Sequence, residues 1–223
     1  MKKNYSYIWV SLIVLVFGIY FIPKIVDRFK NTTVVESDRL NVANRRELKV
    51  IGKAPAFSFT NQDKQTITND NYKGKVYLVE FFFSTCPTIC PIMNENMVKL
   101  QNEFGKDDRF GIASITIDPE TDTPENLKEH AKFLGVNMAN WHFLTGSEEA
   151  IFGLSKKFNL YVGKNADAPG GFEHSGLFAL IDKEGNIRSR NMENLEYPII
   201  YYDGTDDAGL KMLKEDIQQL LKE

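Results

Sequence analysis

The feature that most constrains this 223-residue chain is an almost unbroken apolar run, VYLVEFFF, over residues 76–83. β-Branched and aromatic residues favour strands, and a strand that lacks polar alternation is typically buried on both faces. Strand-like and amphipathic helical segments alternate after this run, and an antiparallel pair and a helix end the chain. We therefore predict an α/β fold in which helices flank a mixed sheet.

Most of the other elements can be placed from periodicity and capping residues. A hairpin is predicted at 56–68, and further strands at 110–117, 141–144, 177–181 and from Ile187. Thr123-Pro124 and Ser147 are predicted to begin two helices, and the Gly-, Ala- and Pro-rich segment 163–171 is predicted to be a loop. The apolar positions of the first and last helices are Ile92, Met93, Met97, Leu100 and Phe104, and Leu210, Leu213, Ile217, Leu220 and Leu221.

The N-terminus is typical of a membrane anchor. An uncharged run that includes Ile8–Ile22 follows Lys2 and Lys3, and counted from Tyr5 it has 18 residues, enough for a helix of roughly 27 Å. A cleaved signal peptide is the alternative, but no small-residue cleavage site follows the run. We predict an uncleaved transmembrane helix within an anchor over residues 1–30, a polar linker over 31–47, and a folded domain over 48–223.

The charge distribution argues against nucleic acid as a partner. Residues 1–30 carry a net charge of +4, and because the whole chain carries −3, the remainder carries −7. An acidic body repels phosphate backbones, so we expect no nucleic-acid binding. Lys and Arg lie on both sides of the predicted span, so the positive-inside rule does not by itself decide its orientation.

The chain has two cysteines, in Thr85-Cys86-Pro-Thr-Ile-Cys90-Pro91, directly after the central strand. The two prolines indicate an exposed loop that turns into a helix, where the helix dipole lowers a thiol pKa. The four-residue spacing brings both sulfurs to one side of the first turn, which suits a disulfide or a soft metal ion. The alternative is two buried cysteines that act as small core residues.

The available ligands favour copper over zinc. A structural zinc site needs four Cys or His ligands, and this chain has a single cysteine pair, whereas two thiolates and one imidazole suit Cu(I). His130 is predicted to be a helix-surface residue and His142 to pack in a strand or lie at its edge. His174 lies in a glycine-flanked loop that can move toward a metal, but the residues alone leave the third ligand open.

An acidic turn, Asp118-Pro-Glu-Thr-Asp122-Thr-Pro124, follows the second strand. On its own this pattern indicates helix capping. In a parallel sheet, however, adjacent strands carry their carboxyl ends to the same edge, so the turn is expected near the cysteine loop.

Together these motifs resemble the Sco/SenC family of membrane-tethered, thioredoxin-like copper proteins. The matching run includes Thr85-Cys86-Pro87-x-x-Cys90-Pro91, Ile117-Asp118-Pro119-x-x-Asp122-Thr123-Pro124, Leu144-Thr145-Gly146, and His174 before Leu180-Ile181-Asp182-x-x-Gly185. The resemblance implies a thioredoxin-like fold with an added hairpin. It also implies Cys86, Cys90 and His174 as copper ligands, with Asp118 as a nearby outer-sphere carboxylate.

The resemblance further implies a metallochaperone that supplies copper to the dinuclear centre of cytochrome c oxidase subunit II or to another copper acceptor. The alternative is a thiol–disulfide oxidoreductase that uses Cys86 and Cys90 as its redox-active pair; a peroxidase fits badly because its P-x-x-x-T-x-x-C pattern is missing. Thr88, where the family often has an acid, and the loop with Asp167 depart from the pattern. Anchor and family together predict a single-pass protein of the cytoplasmic membrane whose domain is extracytoplasmic (periplasmic).

Overall fold

The computed structural model describes residues 48–190 and 200–223, together with Leu15, Phe17, Phe21 and Ile22 of an N-terminal helix. In this described part of the chain, no helix is long and apolar enough to cross a membrane. Most of the predicted span lies outside the described residues, so the anchor stays a prediction. Glu47–Glu223 form one compact unit.

From Leu48 onward the described elements comprise eleven strands, four α-helices and one 3-10 helix at Asn69–Tyr72. The strands are β1 (Leu48–Lys53), β2 (Ser58–Asn61), β3 (Thr66–Thr68), β4 (Val76–Phe82), β5 (Phe110–Thr116), β6 (Trp141–Thr145), β7 (Val162–Lys164), β8 (Phe172–His174), β9 (Leu177–Ile181), β10 (Asn186–Arg190) and β11 (Tyr202–Asp203). The helices are α1 (Cys90–Phe104), α2 (Pro124–Phe133), α3 (Glu148–Phe158) and α4 (Asp207–Lys222).

The main sheet has the strand order β1-β10-β9-β4-β5-β6-β2-β3, and β11 pairs with β9. Strands β4, β5 and β6 are parallel, whereas β9 runs antiparallel to β4 and β2 runs antiparallel to β6. All seven residues of β4 are buried, as expected for a central strand covered on both faces. The predicted hairpin is confirmed, because β2 and β3 pair antiparallel.

Helices cover both faces of the sheet. Neighbouring residues of a strand point to opposite faces, and Phe81 contacts Phe158 of α3 whereas Phe82 stacks on His130 of α2. The predicted caps are confirmed, because Thr123 accepts a hydrogen bond from the Asn126 amide and Ser147 one from the Ala150 amide. The architecture is the predicted mixed, thioredoxin-like α/β fold.

Three details differ from the sequence-based expectations. The predicted loop over 163–171 is confirmed for residues 165–171, but it connects two short strands, β7 and β8, that pair antiparallel in a second sheet, and His174 ends β8 instead of lying in a free loop. Strand β1 extends the sheet beside β10, although its side chains are mostly exposed. Ile92 of α1, expected in the core, is 46% exposed.

Candidate metal centre

The topology brings three distant segments to one edge of the sheet. In the parallel β4–β5 pair Phe82 lies opposite Thr116, so the cysteine loop after β4 and the acidic turn after β5 emerge side by side. Strand β9 runs the other way, with Ala179 opposite Val79, and therefore begins at this same edge. The residues just before β9, His174 among them, are thereby carried to the cysteines.

The three predicted ligands meet at this edge. The Sγ of Cys90 lies 3.1 Å from Nε2 of His174. The potential ligand atoms of Cys86, Cys90 and His174 all lie within 4.8 Å of one another. Nδ1 of His174 is 3.1 Å from the carbonyl oxygen of Ser175, which can only accept, so the Nδ1–H group donates to it and Nε2 is the ring nitrogen that faces the sulfurs.

The two thiols differ in access. Cys90 begins α1 and is 1% exposed, whereas Cys86 precedes the helix, is 8% exposed and lines two surface grooves. The expected exposed loop is confirmed for Thr85, Pro87 and Thr88, whereas both cysteine side chains are buried, Cys90 most fully because it packs against the core at the start of α1. Both cysteines are free thiols.

The two thiols also differ in acidity. Burial alone would raise the pKa of Cys86, but hydrogen bonds involving the His174 imidazole, the Thr88 side chain and nearby backbone together lower this pKa to about 5. Burial raises the pKa of the Cys90 thiol well above its ordinary value, and the neighbouring Cys86 raises it further. Cys86 is thus a thiolate at neutral pH, whereas the apo protein keeps Cys90 protonated.

The buried side chain of Asp122 anchors the cysteine loop. Its carboxylate is fully buried and accepts hydrogen bonds from the amide of Ser84 at 3.1 Å, from the Ser84 hydroxyl and from the Thr116 hydroxyl. The loop that leads to Cys86 is therefore tied directly to the end of β5. The acidic turn lies at this edge as predicted, but Asp118 was the carboxylate expected beside the ligands, and only the packing shows that Asp122 is the acid that faces the loop.

Asp118 occupies the same turn without joining the ligand cluster. Its Oδ1 accepts a hydrogen bond from the Thr121 amide at 3.3 Å, and its backbone amide donates to the Thr116 hydroxyl at 3.0 Å. The cluster of metal-ligating atoms in the described part of the chain contains Cys86, Cys90 and His174 but not Asp118. The outer-sphere role of Asp118 stays a prediction.

A buried carboxyl that the sequence analysis did not consider is coupled to the centre. Glu80 of β4 accepts a hydrogen bond from the Ser114 hydroxyl at 2.6 Å, and the Trp141 indole donates to that hydroxyl at 3.0 Å. Its second oxygen is buried without a hydrogen-bond partner among the described residues. Burial raises the pKa of Glu80 to about 7, although the Ser114 bond and the charge of His174 oppose the rise. Glu80 is the single charged residue in VYLVEFFF, and this signal could have identified it.

The other two histidines lie outside the cluster. His130 is half-buried, stacked on Phe82 and edge-on to Phe143, so the expectation of a plain surface residue was wrong. His142 packs edge-on to Tyr72 and lies 3.3 Å from the Asn61 side chain, which confirms the prediction of a packing or edge residue. Burial lowers the pKa of both rings.

The β7–β8 hairpin, which ends at His174, packs against Phe83. Phe83 contacts both Phe172 and His174 of β8, with ring centroids 5.5 and 5.9 Å apart. The turn has Gly170 and Gly171 at φ of +85° and +80°, and a Cβ at Gly170 would lie 2.7 Å from the Phe83 ring. A larger residue does not fit at Gly170, since the turn lies directly on the ring that packs against His174.

Comparison with known proteins identifies the family. The SCO1/SenC family model matches residues 46–200. The chain belongs to this family. It is 34% identical over 161 residues to a SCO1 protein homolog of Bacillus subtilis, an alignment that covers 70% of this chain and 82% of that protein.

Two solved structures of the family resemble the chain. BsSco, described as a member of the Sco family of cytochrome c oxidase assembly proteins with a disulfide switch, is 28% identical with a TM-score of 0.63, covering 77% of this chain and 95% of that one. Arabidopsis thaliana ScoI with copper bound is 25% identical with a TM-score of 0.57, covering 76% and 99%.

Proposed function

We propose that this SCO1/SenC protein is a copper-binding metallochaperone that delivers copper to the dinuclear centre of cytochrome c oxidase subunit II or to another copper-accepting protein. The observation that carries the proposal is that Cys86, Cys90 and His174 lie with their ligand atoms within 4.8 Å of one another. Two sulfurs and one imidazole nitrogen are a soft donor set that suits Cu(I).

Related proteins support both copper and the destination. The Arabidopsis family member is described with copper bound, and BsSco is described as belonging to a family of cytochrome c oxidase assembly proteins. This chain has Cys86, Cys90 and His174 as its proposed donors, and Thr88 between the cysteines removes none of them. Asp118, in the adjacent turn, is proposed as an outer-sphere carboxylate.

The ligands favour holding copper and also releasing it. His174 holds its proton on Nδ1 through the Ser175 carbonyl, so Nε2 is ready to coordinate. Cys86 lines surface grooves and is the ligand that a thiol of an acceptor protein can approach. Exchange of one thiolate for another at Cys86 passes the ion on without leaving it free in solution.

The inequality of the two thiols favours a second candidate function, thiol–disulfide exchange with the acceptor. The Cys86 thiolate attacks a disulfide of the target, forms a mixed disulfide and releases one target thiolate. Cys90 then loses its proton and attacks the sulfur of Cys86, which releases the second target thiol and leaves a Cys86–Cys90 disulfide. Two electrons pass from this chain to the target, and the product chain has no thiolate pair for Cu(I).

The location of the domain is part of the same proposal. The uncharged run before Pro23 supports a single membrane-spanning anchor within residues 1–30, with 31–47 as a linker and 48–223 as the functional domain. We place this domain on the extracytoplasmic side of the cytoplasmic membrane. A reporter that is active only in the cytoplasm, fused after Glu223, is expected to be silent, and strong activity would contradict this orientation.

A Cu(I) competition titration of the reduced full-length chain tests the copper function. Wild type and the variants His174→Ala, His130→Ala and His142→Ala are compared. Loss of a direct ligand is expected to exceed the roughly 10–100-fold effect of outer-shell changes, so His174→Ala should weaken Cu(I) binding by more than about 100-fold. The two control variants should bind Cu(I) as the wild type does, and oxidation of Cys86 and Cys90 to a disulfide should abolish binding.

Two results would refute this assignment. If His174→Ala binds Cu(I) like the wild type while His130→Ala or His142→Ala does not, the ligand set is wrong. If all four proteins bind equally and only weakly, the oxidoreductase function takes precedence, since dithiol exchange needs the cysteines but not His174.

A further inference from the structure

We propose that an apolar groove beside Cys86 binds the cysteine-bearing segment of the copper-accepting protein and selects a segment with an aliphatic or aromatic residue next to its cysteine. This inference rests on the proposed copper function. The groove, here called the Cys86 groove, has a volume of about 460 Å³. Its walls include Cys86, Pro91, Val98, His130, Phe133 and Leu134.

The walls of the Cys86 groove are largely uncharged. Pro91 and Val98 belong to α1, whereas Phe133 and Leu134 end α2. His130 lines the groove between them, and because burial lowers its pKa the ring is neutral at pH 7. The one carboxylate in the wall, Glu95, is paired with Lys99 at 2.9 Å. An occupant is therefore held mainly through apolar burial.

Phe133 is the clearest sign that something covers this groove. It is 85% exposed, more than any other large hydrophobic residue in the described part of the chain. The fold does not need an apolar residue there, because α2 packs on the sheet through Leu127 and Ala131 while its neighbours Lys132 and Glu129 face solvent. Phe133 shares the groove wall with Pro91, Val98 and Leu134, and a contiguous exposed apolar patch of this kind is typical of a contact site.

The position of Cys86 in the wall of the groove indicates what kind of molecule the groove binds. Cys86 forms part of its wall, so a chain in the groove lies next to the ligand that is accessible, whereas Cys90 is 1% exposed and does not line it. Cys86 also lines a second groove, whose wall includes Phe83 and Phe172 together with the carboxyl residues Asp167 and Glu173. Direct exchange of copper needs an acceptor sulfur close to Cys86, and of the two grooves only the Cys86 groove has the exposed Phe133 in its wall and its one carboxylate paired with a lysine. The copper acceptor is therefore the partner that the Cys86 groove fits.

The test uses two synthetic peptides that differ at one position. Each carries one cysteine as a mixed disulfide with thionitrobenzoate, and the residue next to this cysteine is leucine in one peptide and serine in the other. The protein is the full-length Cys90→Ser chain in lipid nanodiscs, in which Cys86 is the single thiol. The Cys86 thiolate attacks the peptide sulfur, a Cys86–peptide disulfide forms, and thionitrobenzoate leaves as a coloured thiolate.

The leucine peptide should react about tenfold faster than the serine peptide at subsaturating concentration, as expected for partial burial of one apolar side chain. Phe133→Ser, made in the same chain, should reduce this ratio to about one. Val50→Ser is the matched control, because Val50 is 58% exposed on β1 and lies outside the Cys86 groove; it should keep the tenfold ratio.

Three outcomes would overturn the inference. The first is equal rates for the two peptides in the Cys90→Ser chain, and the second is a tenfold preference that survives Phe133→Ser. The third is a dimer in sedimentation that Phe133→Ser converts to monomer, which would assign the groove to a second copy of this chain. Cu(I) affinity of the wild type is measured separately. Peptide selectivity without Cu(I) binding would refute the copper function and identify the occupant as a disulfide substrate instead.

Discussion

The two segments that supply the centre are built differently. The cysteine loop follows the fully buried strand β4 and is tied to β5 through the buried carboxylate of Asp122. The β7–β8 hairpin that carries His174 forms a separate two-stranded sheet. Its polar contacts lie at the surface. Lys164 pairs with Glu148, and Tyr161 and Asn165 each donate a hydrogen bond to Glu173.

This difference separates folding from copper binding. The thiols are attached to the core, so changes around the cysteine loop should reduce stability and copper affinity together. The imidazole is attached to a hairpin at the surface, so changes there should alter copper affinity while leaving most of the stability in place. An imidazole on a separately built hairpin also suits a site that has to bind copper and release it.

The largest effect on stability is expected from Asp122→Ala. The substitution leaves the Ser84 amide and two hydroxyls without their shared acceptor in a buried space, which should cost about 4 kcal/mol of unfolding free energy. Denaturant unfolding of the apo chain measures this cost. Asp118→Ala is the control, because its carboxylate accepts one longer hydrogen bond, and it should cost about 1 kcal/mol. Equal costs would show that Asp122 does not anchor the loop.

The next effect is a pH dependence that arises at Glu80. Its pKa rises from 4.5 to about 7 on folding, mainly through burial, so its contribution to stability is complete below about pH 4.5 and is lost as the pH rises through 7. The loss amounts to about 3 kcal/mol. Glu80→Gln should remove it, and the variant should therefore be more stable than the wild type at pH 8 but not at pH 4.5. Unfolding free energies of both proteins across this range test the sign, and the same difference at both pH values would contradict it.

A smaller effect is expected where the hairpin turn lies against the cysteine side. Gly170→Ala introduces backbone strain at positive φ and a contact with the Phe83 ring, and should cost about 2 kcal/mol. Gly171→Ala has the strain but no atom within 4 Å of the new Cβ, and should cost about 1 kcal/mol. Thermal unfolding of the pair measures the difference, and a larger loss in Gly171→Ala would show that the Phe83 contact is unimportant.

The smallest effect is expected from Lys164→Ala. The ion pair with Glu148 is 2.6 Å long, but the two side chains are 52% and 40% exposed, so solvent screens the pair and its loss should hardly change the free energy of unfolding. Chemical unfolding in low and high salt measures it. A loss of stability as large as that of Gly170→Ala would mean that the hairpin is held as firmly as the cysteine loop, and would remove the contrast between the two segments.

The strands and helices whose buried side chains recur at a regular spacing were predictable from the sequence. The strand β4 and the helices α2 and α3 were predicted close to their observed bounds, because apolar spacing and capping residues mark them. Strand β1 escaped prediction because it pairs through its backbone while exposing most side chains, so no alternation marks it. The short strands β7 and β8 escaped prediction because each has three residues, none of them fully buried, and the glycine-rich turn between them favours a loop.

The candidate site was predictable only in part. The four-residue spacing of Cys86 and Cys90 and the buried strand before them indicated reactive cysteines. His174 was selected through the family resemblance, because its neighbours in sequence do not reveal which strand end it meets. Asp122 and Asp118 differ by four positions and cannot be ranked without knowing which one faces Ser84. The unequal burial of Cys86 and Cys90 likewise arises from how α1 packs.

X-ray absorption spectroscopy of the reduced, Cu(I)-loaded full-length chain tests the central claim most directly. The account predicts copper with two sulfur ligands and one nitrogen ligand in the wild type. In His174→Ala the nitrogen should be lost while both sulfurs from Cys86 and Cys90 remain. A nitrogen ligand that persists in His174→Ala, or fewer than two sulfurs in the wild type, would contradict the proposed centre.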